Sequence, residues 1–235
     1  MITLTFDNLG EAAERARGEE PASPHPSVTT ALPWLLDLLA ELDHKATFCV
    51  EAVNTQDHPD TVRAIAAAGH EIALHGWAHE RWDGDPEPLA RAQEAFAKLG
   101  VHPAGYRPPG GALPPGGMKT LAAAGLRWCS PEGEEPYVEA GVAVLPFRWP
   151  LVDATYLHVP FTGLRERLGL PREPLAPADA EARLLAELAQ DEDPVLILHP
   201  FLAVDEGVRA AHERILRGLA AVRTAGEAAA ALQSP

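Results

Sequence analysis

Four groups of chemically reactive side chains are spread along this chain of 235 residues, and each group follows a short apolar run. The groups are Asp7 with Asn8, His75 with His79, Arg107 with the turn after it, and His199. Aspartate and histidine commonly move protons in enzymes, and histidine is also the commonest protein ligand for metals. The four groups therefore predict one active site that is assembled from distant parts of the sequence.

The two histidines of the second group have a spacing that suits metal binding. His75 and His79 are four residues apart. On a helical turn this spacing puts both imidazoles on one face, within reach of a single ion. The alternative is that they only cap a strand-to-helix turn. Their position after an apolar strand favours the metal site.

His199 and the Arg107 turn have two interpretations each. His199 follows the apolar run 195–198, so it is either a buried histidine of the core or a general acid. Arg107 opens the sequence Arg-Pro-Pro-Gly-Gly and is either a surface arginine or part of the site. A turn fixed by proline and followed by glycines suits the presentation of backbone N–H groups to an oxyanion.

The pattern of the whole chain indicates how these residues are positioned. Short apolar runs predict strands at 2–6, 46–50, 71–74, 104–107, 126–129, 142–147 and 195–198. Amphipathic stretches predict helices at 28–42, 59–68, 87–99, 114–124, 178–190, 208–222 and 225–232. This alternation favours a parallel α/β sheet, closed or nearly closed as a barrel, with an open doubly wound sheet as the alternative. Such folds place their sites at the carboxyl ends of the strands.

Composition limits the class of protein. The chain has 19 basic and 34 acidic residues, a net charge of −15, which disfavours nucleic acid as a partner. It has neither a run of 18 apolar residues nor a secretory signal pattern, so we expect no membrane contact and a cytoplasmic location. Cys49 and Cys129 lie in apolar segments and are expected to be reduced core residues. With no linker pattern, residues 1–235 are expected to form a single domain.

The order of the motifs resembles a known family. "TFDN" at 5–8, "GHEIALHGWAHERW" at 69–82, "YRPPGG" at 106–111 and "LILHP" at 196–200 are similar to the motifs of the polysaccharide deacetylases. This family is also known as the NodB-homology domain or carbohydrate esterase family 4. The resemblance implies a distorted (β/α) barrel of seven or eight parallel strands. It also implies hydrolysis of an N-acetyl or related amide bond, with a divalent metal as cofactor, zinc first and other transition metals as alternatives.

The resemblance also implies a role for each reactive residue. Asp7 falls on the catalytic base, His75 and His79 on the metal ligands, Arg107 on the arginine that holds the base, Gly110 on the oxyanion position and His199 on the general acid. The family has a tyrosine where this chain has Gly110. An acidic partner is expected to keep His199 protonated, and Asp153 is our candidate. Trp77 and Trp149, and also Trp82, are candidates for stacking on a sugar ring, with a role as lids of the core as the alternative.

Asn8 departs from the family pattern, which has a second, metal-binding aspartate at this position. Three outcomes are open: Asn8 ligates the metal through its amide oxygen, Asp7 moves onto the metal, or the metal site is weak or empty. The expected function is N-deacetylation of an acetylated sugar or related small molecule. One alternative is a metal-independent amidase of the same fold that acts on another C–N bond, such as a cyclic ureide. The other is a catalytically silent barrel that binds carbohydrate or protein.

Overall fold

Nine strands build one sheet in the computed structural model of this chain, which describes residues 1–234. The strands are β1 (Ile2–Asp7), β2 (Thr47–Val50), β3 (Glu71–Leu74), β4 (Gly105–Tyr106), β5 (Trp128–Cys129), β6 (Tyr137–Glu139), β7 (Val142–Val144), β8 (Val195–Leu198) and β9 (Val222–Arg223). All seven predicted strands are present, and four of them are one to three residues shorter than predicted.

The sheet is parallel except at one edge. Its order is β6-β7-β5-β4-β3-β2-β1-β8, with β9 paired to β1, and only the β6–β7 pair is antiparallel. A single bridge between Val152 and Ile197 lies beyond β8. The sheet curls into a half-barrel surrounded by helices, which confirms the predicted α/β barrel-like fold and its parallel strands.

Eleven α-helices in residues 1–234 connect and cover the strands. They are α1 (Ala12–Ala16), α2 (Leu32–Glu41), α3 (Asn54–Asp57), α4 (Pro59–Ala67), α5 (Pro86–Ala97), α6 (Gly117–Ala123), α7 (Asp153–Leu157), α8 (Thr162–Arg167), α9 (Pro177–Leu188), α10 (Glu206–Gly218) and α11 (Ala225–Gln233). Within the same residues, no helix is long and apolar enough to span a membrane.

The central strands are buried on both faces, as expected for a parallel sheet covered by helices. Every residue of β2 and β8 is buried, and so is every residue of β1 after Ile2. On one face of the β1–β2 pair, the rings of Phe6 and Phe48 stack with centroids 4.9 Å apart. This packing fixes the strand ends that carry the reactive side chains.

The sequence pattern did not predict two short strands of the sheet, β6 and β9. Tyr137 and Val138 of β6 are 48% and 47% accessible. Because this strand is exposed, it has no apolar run of the kind that predicted the others. Its hairpin turn is Ala140-Gly141, with φ of 52° and 82°, and alanine is not a usual signal for such a turn. The strand β9 falls at the end of the helix predicted for 208–222. That helix is wrong at its C-terminal end, because α10 stops at Gly218.

Candidate active site

The carboxyl ends of several strands surround a pocket of about 130 Å³. Eight of the predicted site residues line this pocket: Asp7, Asn8, His75, His79, Arg107, Gly110, Trp149 and His199. Asp153 is fully buried behind His199 and contacts its ring. The structure thus brings together groups that are far apart in the sequence.

Asp7 and Arg107 form a buried ion pair at the ends of β1 and β4. Nη1 of Arg107 donates to Oδ1 of Asp7 at 2.8 Å and to Oγ1 of Thr5 at 2.7 Å, and Nη2 donates to Oγ of Ser130 at 3.0 Å. Burial alone would raise the pKa of Asp7, but the Arg107 charge and two nearby histidines lower it below its ordinary value. Asp7 is therefore an ionised carboxylate, held in one orientation.

His199 and Asp153 form a second buried pair on the other side of the pocket. Nδ1 of His199 is 2.5 Å from Oδ1 of Asp153, and the His199 backbone N–H donates to Oδ2 at 2.8 Å. Burial acts to lower the pKa of His199, but the Asp153 charge outweighs it and raises the pKa above its ordinary value. His199 can thus hold a proton at its remaining nitrogen, Nε2.

A further histidine, which the sequence analysis missed, lies behind this pair. Nε2 of His212, on α10, is 2.9 Å from Oδ2 of Asp153. His212 is 3% exposed and lies outside the pocket lining. It stands in the middle of a regular amphipathic helix, and no local motif distinguishes it from an ordinary core residue.

The orientation of His75 suits a metal ligand. Its Nδ1 is 2.8 Å from the carbonyl oxygen of Arg107, and a carbonyl can only accept, so Nδ1 carries the proton. This leaves the lone pair of Nε2 free for a metal, an arrangement common among metal-binding histidines. Burial lowers the pKa of His79 to about 3, so this imidazole is neutral at pH 7 and is also able to ligate.

The two histidines do not lie on a helical turn, and that expectation was wrong. The chain leaves β3 in a non-helical turn, in which His79 has φ of 66°. The Glu80 carboxylate accepts hydrogen bonds from the backbone N–H groups of Trp77 at 2.7 Å and Ala78 at 2.6 Å. These bonds bend the turn so that the imidazole centroids of His75 and His79 are 5.0 Å apart.

Glu51 is the third group near these histidines, and the sequence analysis missed it. Ligand atoms of Glu51, His75 and His79 all lie within 4.8 Å of one another. Burial raises the pKa of Glu51 to about 8, and a cation beside it would favour the ionised form. A charged residue directly after the fully buried strand β2 is the signal that could have found it.

The donor set fits a transition metal. Asn8 has φ of 62°, and its Oδ1 is buried without a hydrogen-bond partner among residues 1–234. Two imidazoles with carboxylate or amide oxygens form a ligand set that zinc accepts. The cluster of ligand atoms from Glu51, His75 and His79 supports a metal here, together with the unpartnered Oδ1 of Asn8 in the same pocket lining as the histidines.

Gly110 lies at the pocket in a left-handed conformation, with φ of 72°. A Cβ at this position would meet no atom within 4 Å, so the space that a side chain could fill is open. The positive φ explains why glycine suits this chain where the family has tyrosine. The role of the Gly110 N–H toward an oxyanion stays a prediction.

The three tryptophans have different environments. Trp149 lines the pocket within a row of aromatic rings in edge-to-face contact, formed by Phe147, Trp149, Phe161, His158 and Phe201. The sequence analysis did not predict this row. Trp77 lies outside the pocket, where the Arg91 guanidinium is 3.5 Å from its ring centroid. Trp82 is 6% exposed and packs on Tyr106 in the core. Only Trp149 is thus placed to contact a ligand in this pocket.

Sequence comparisons with known proteins all point to the same family. The sequence pattern of the polysaccharide deacetylases matches residues 1–128. The chain is 28% identical over 135 residues to a peptidoglycan-N-acetylglucosamine deacetylase of Bacillus cereus, a match covering 54% of each protein. The chain thus spans about half the length of this curated relative.

Solved structures show the same fold. A crystal structure from Mycobacterium smegmatis assigned to the polysaccharide deacetylases has a TM-score of 0.82 and 30% identity, over 99% of this chain and 89% of that one. PuuE allantoinase has a TM-score of 0.72 and 18% identity, over 97% of this chain and 88% of that one, and shares the fold. The family resemblance found in the motifs is confirmed: the chain belongs to the polysaccharide deacetylase family.

Proposed function

We propose that this protein is a metal-dependent hydrolase of carbon–nitrogen amide bonds that removes the acetyl group from an N-acetylated sugar or a related small molecule. The observation that carries the proposal is the content of one pocket. A buried carboxylate held by Arg107, an imidazole held by Asp153, and the pair of imidazoles of His75 and His79 all lie at it. Amide hydrolysis needs a base, an acid and stabilisation of an oxyanion.

Each of these groups has one task in the reaction. Asp7 accepts the proton of the attacking water, since it is ionised and fixed by Arg107. In this proposal the Gly110 N–H donates to the oxyanion of the tetrahedral intermediate, because Gly110 lines the same pocket. Protonated His199 then gives its Nε2 proton to the leaving nitrogen, because without that proton the nitrogen would have to leave as a strongly basic anion. Asp153 keeps that proton on His199 until it is needed.

His75 and His79 would hold the divalent metal, with an oxygen ligand from the residues around them. When bound, the metal polarises the amide carbonyl and lowers the pKa of water. Zinc suits the two imidazoles, and other transition metals are alternatives.

The pocket size bears on the substrate. At about 130 Å³ it is smaller than the roughly 300–1,000 Å³ common for drug-sized ligands. It therefore suits an acetamido group with a small part of the attached molecule, placed against the half-buried Trp149. The name of the Bacillus cereus relative, an N-acetylglucosamine deacetylase, supports a sugar as the rest of the substrate. A cytoplasmic location stays a prediction.

A second candidate is a metal-independent amidase acting on a cyclic ureide. Asn8 favours it, because a neutral residue stands where the family has a metal-binding aspartate. Both reactions use Asp7 and His199, and they differ in the need for metal and in the product. Deacetylation releases acetate, whereas hydrolysis of a cyclic ureide opens a ring.

The experiment is a substrate panel offered to zinc-loaded protein: N-acetylglucosamine, its short oligosaccharides and a cyclic ureide. Acetate release from an acetylated sugar supports the proposal, and ring opening alone supports the second candidate. Asp7→Asn sets the background, and Asp37→Asn, on the exposed face of α2, is the matched control. Turnover no higher than that of Asp7→Asn on every substrate would favour a silent binding barrel.

A further inference from the structure

Two buried side-chain oxygens at the ends of neighbouring strands lack a hydrogen-bond partner among residues 1–234. They are Oδ1 of Asn8, after β1, and Oε1 of Glu51, after β2. A buried polar atom without a partner costs about 1–3 kcal/mol, so such atoms need an explanation. Asn8 lines the same pocket as His75 and His79, and a carboxylate oxygen of Glu51 lies within 4.8 Å of a ligand atom of each histidine, so one bound cation would explain both orphaned atoms.

Glu51 is held in a way that leaves this oxygen free. Its other oxygen, Oε2, accepts from the backbone N–H of Leu9 and from the side-chain amide of Asn54, each at 3.4 Å. The residue is fully buried. One oxygen of the carboxylate is therefore anchored and the other has no partner among residues 1–234, while a Glu51 carboxylate oxygen lies within 4.8 Å of a ligand atom of each histidine.

The sheet register explains how β2 can supply a group that the family takes from β1. The two strands are neighbours, with Asp7 opposite Cys49. Asn8 and Glu51 are thus the next residues beyond the same edge, one and two positions further along their strands. A carboxylate oxygen of Glu51 lies within 4.8 Å of a ligand atom of each histidine after β3, so β2 can supply the group.

We propose that Glu51 supplies the anionic third ligand of the metal, in place of the β1 carboxylate that Asn8 lacks. This inference rests on the metal-dependent function proposed above. Two histidines and one glutamate form a known ligand set of catalytic zinc. With Glu51 on the metal, the site regains the negative charge lost at Asn8, and Asp7 remains paired with Arg107 as the base.

The first test measures zinc affinity by equilibrium dialysis and elemental analysis, without an activity assay. Glu51→Gln keeps the shape of the side chain and removes its charge, and Asn8→Ala is its counterpart on β1. We expect Glu51→Gln to weaken zinc binding by more than about 100-fold, beyond the 10–100-fold typical of residues behind the ligands. Asn8→Ala is expected to weaken it by less than about tenfold. The reverse order would overturn the assignment.

The second test detects direct contact with the metal. Glu51→Asp keeps the charge but withdraws the carboxylate by one methylene, so the visible absorption bands of bound cobalt(II) should change, whereas in Asn8→Ala they should stay close to those of the wild type. Bands that are unchanged in Glu51→Asp, or that change more in Asn8→Ala, contradict the proposal. Circular dichroism identifies a variant that does not fold, and the dialysis of Glu51→Gln and Asn8→Ala then decides.

These results separate the inference from the proposed function. Wild-type protein that binds zinc and releases acetate, together with a Glu51→Gln variant of unchanged zinc affinity, overturns the role of Glu51 alone. Wild-type protein that releases acetate without binding any metal overturns both the ligand set and the metal dependence.

Discussion

Asp7 and Arg107 form an ion pair that contributes to stability and, in the proposed reaction, holds the base in place. The pair is buried, with side chains 6% and 1% exposed. Removing one partner leaves the other charge buried and unpaired. The orientation of Asp7 therefore depends on an interaction whose loss would also lower the stability of the folded protein.

The energetic coupling of this pair can be measured. We predict that Arg107→Met lowers the free energy of unfolding by about 3–5 kcal/mol, the usual cost of breaking a buried ion pair from one side. The double variant Asp7→Asn/Arg107→Met should lose clearly less than the sum of the two single variants. Urea denaturation of the four proteins in a double-mutant cycle checks this. Additive losses would show that the two groups are not coupled.

If His199 is the general acid, as proposed, its pKa sets the alkaline limit of activity. Asp153 raises the pKa of His199, so its acid form persists to a higher pH than in a free histidine, and activity falls as pH rises through that raised pKa. We predict that Asp153→Asn moves the falling limb of the kcat/KM profile to lower pH. At pH values above this falling limb, Asp153→Asn should also lower kcat/KM by about 10²–10⁴-fold, the typical contribution of a general acid.

The control for the pH profile is Asp37→Asn, which removes a charge from the surface. Its profile should match that of the wild type. An Asp153→Asn variant with an unshifted falling limb would show that another group donates the proton.

At the scale of the elements, close approach of strands fixes the position of Arg107. A Cβ at Gly105, in β4, would lie 1.9 Å from the Trp128 ring of β5. We predict that Gly105→Ala destabilises the protein by at least about 1–3 kcal/mol, the usual cost of overpacking. It should also weaken the pairing of β4 with β5. Thermal unfolding followed by circular dichroism measures the loss.

Gly163 is the matched control for Gly105. It lies in α8, and a Cβ there would meet nothing within 4 Å. Gly163→Ala should leave the stability unchanged or raise it by about 0.5–1 kcal/mol, the usual gain of alanine over glycine in a helix. Equal losses in both variants would refute the steric explanation.

The strand ends were predictable from the sequence because they depend on local patterns. Asp7, His75, Arg107 and His199 each follow an apolar run, and parallel strands place such residues at one edge of the sheet. The shape of the turn after β3 was not predictable, because it depends on the hydrogen bonds that the Glu80 side chain accepts.

The missed residues are single side chains whose roles come from tertiary contacts. Glu51 follows β2 without a motif, and His212 reaches Asp153 from a helix that is distant in the sequence. The row of aromatic rings that includes Trp149 likewise comes from separate loops that only the fold brings together. Pattern reasoning finds groups that act at strand ends, but it does not show which isolated residues support them.

At the scale of the whole molecule, metal binding should be linked to folding. The three candidate ligands come from segments after two different strands, so a bound ion ties these segments together. At a zinc concentration about 100 times the Kd, binding stabilises the folded state by about 2.7 kcal/mol. For a chain of this size we predict a rise in Tm of about 5–10 °C.

The specificity of this rise can be checked by differential scanning calorimetry with magnesium as the control ion. Magnesium prefers oxygen ligands and should give a much smaller shift at the same concentration. Glu51→Gln should largely abolish the zinc effect. An equal rise with both ions would point to a general effect of cations on a chain with a net charge of −15.

The most direct test of the account is a titration of zinc into chelator-stripped protein, with acetate release from an N-acetylglucosamine oligosaccharide as the readout. We predict that release rises from the background of the Asp7→Asn variant to a plateau at one zinc per chain. Full activity of the stripped protein, or no acetate above that background at saturating zinc, would contradict the account.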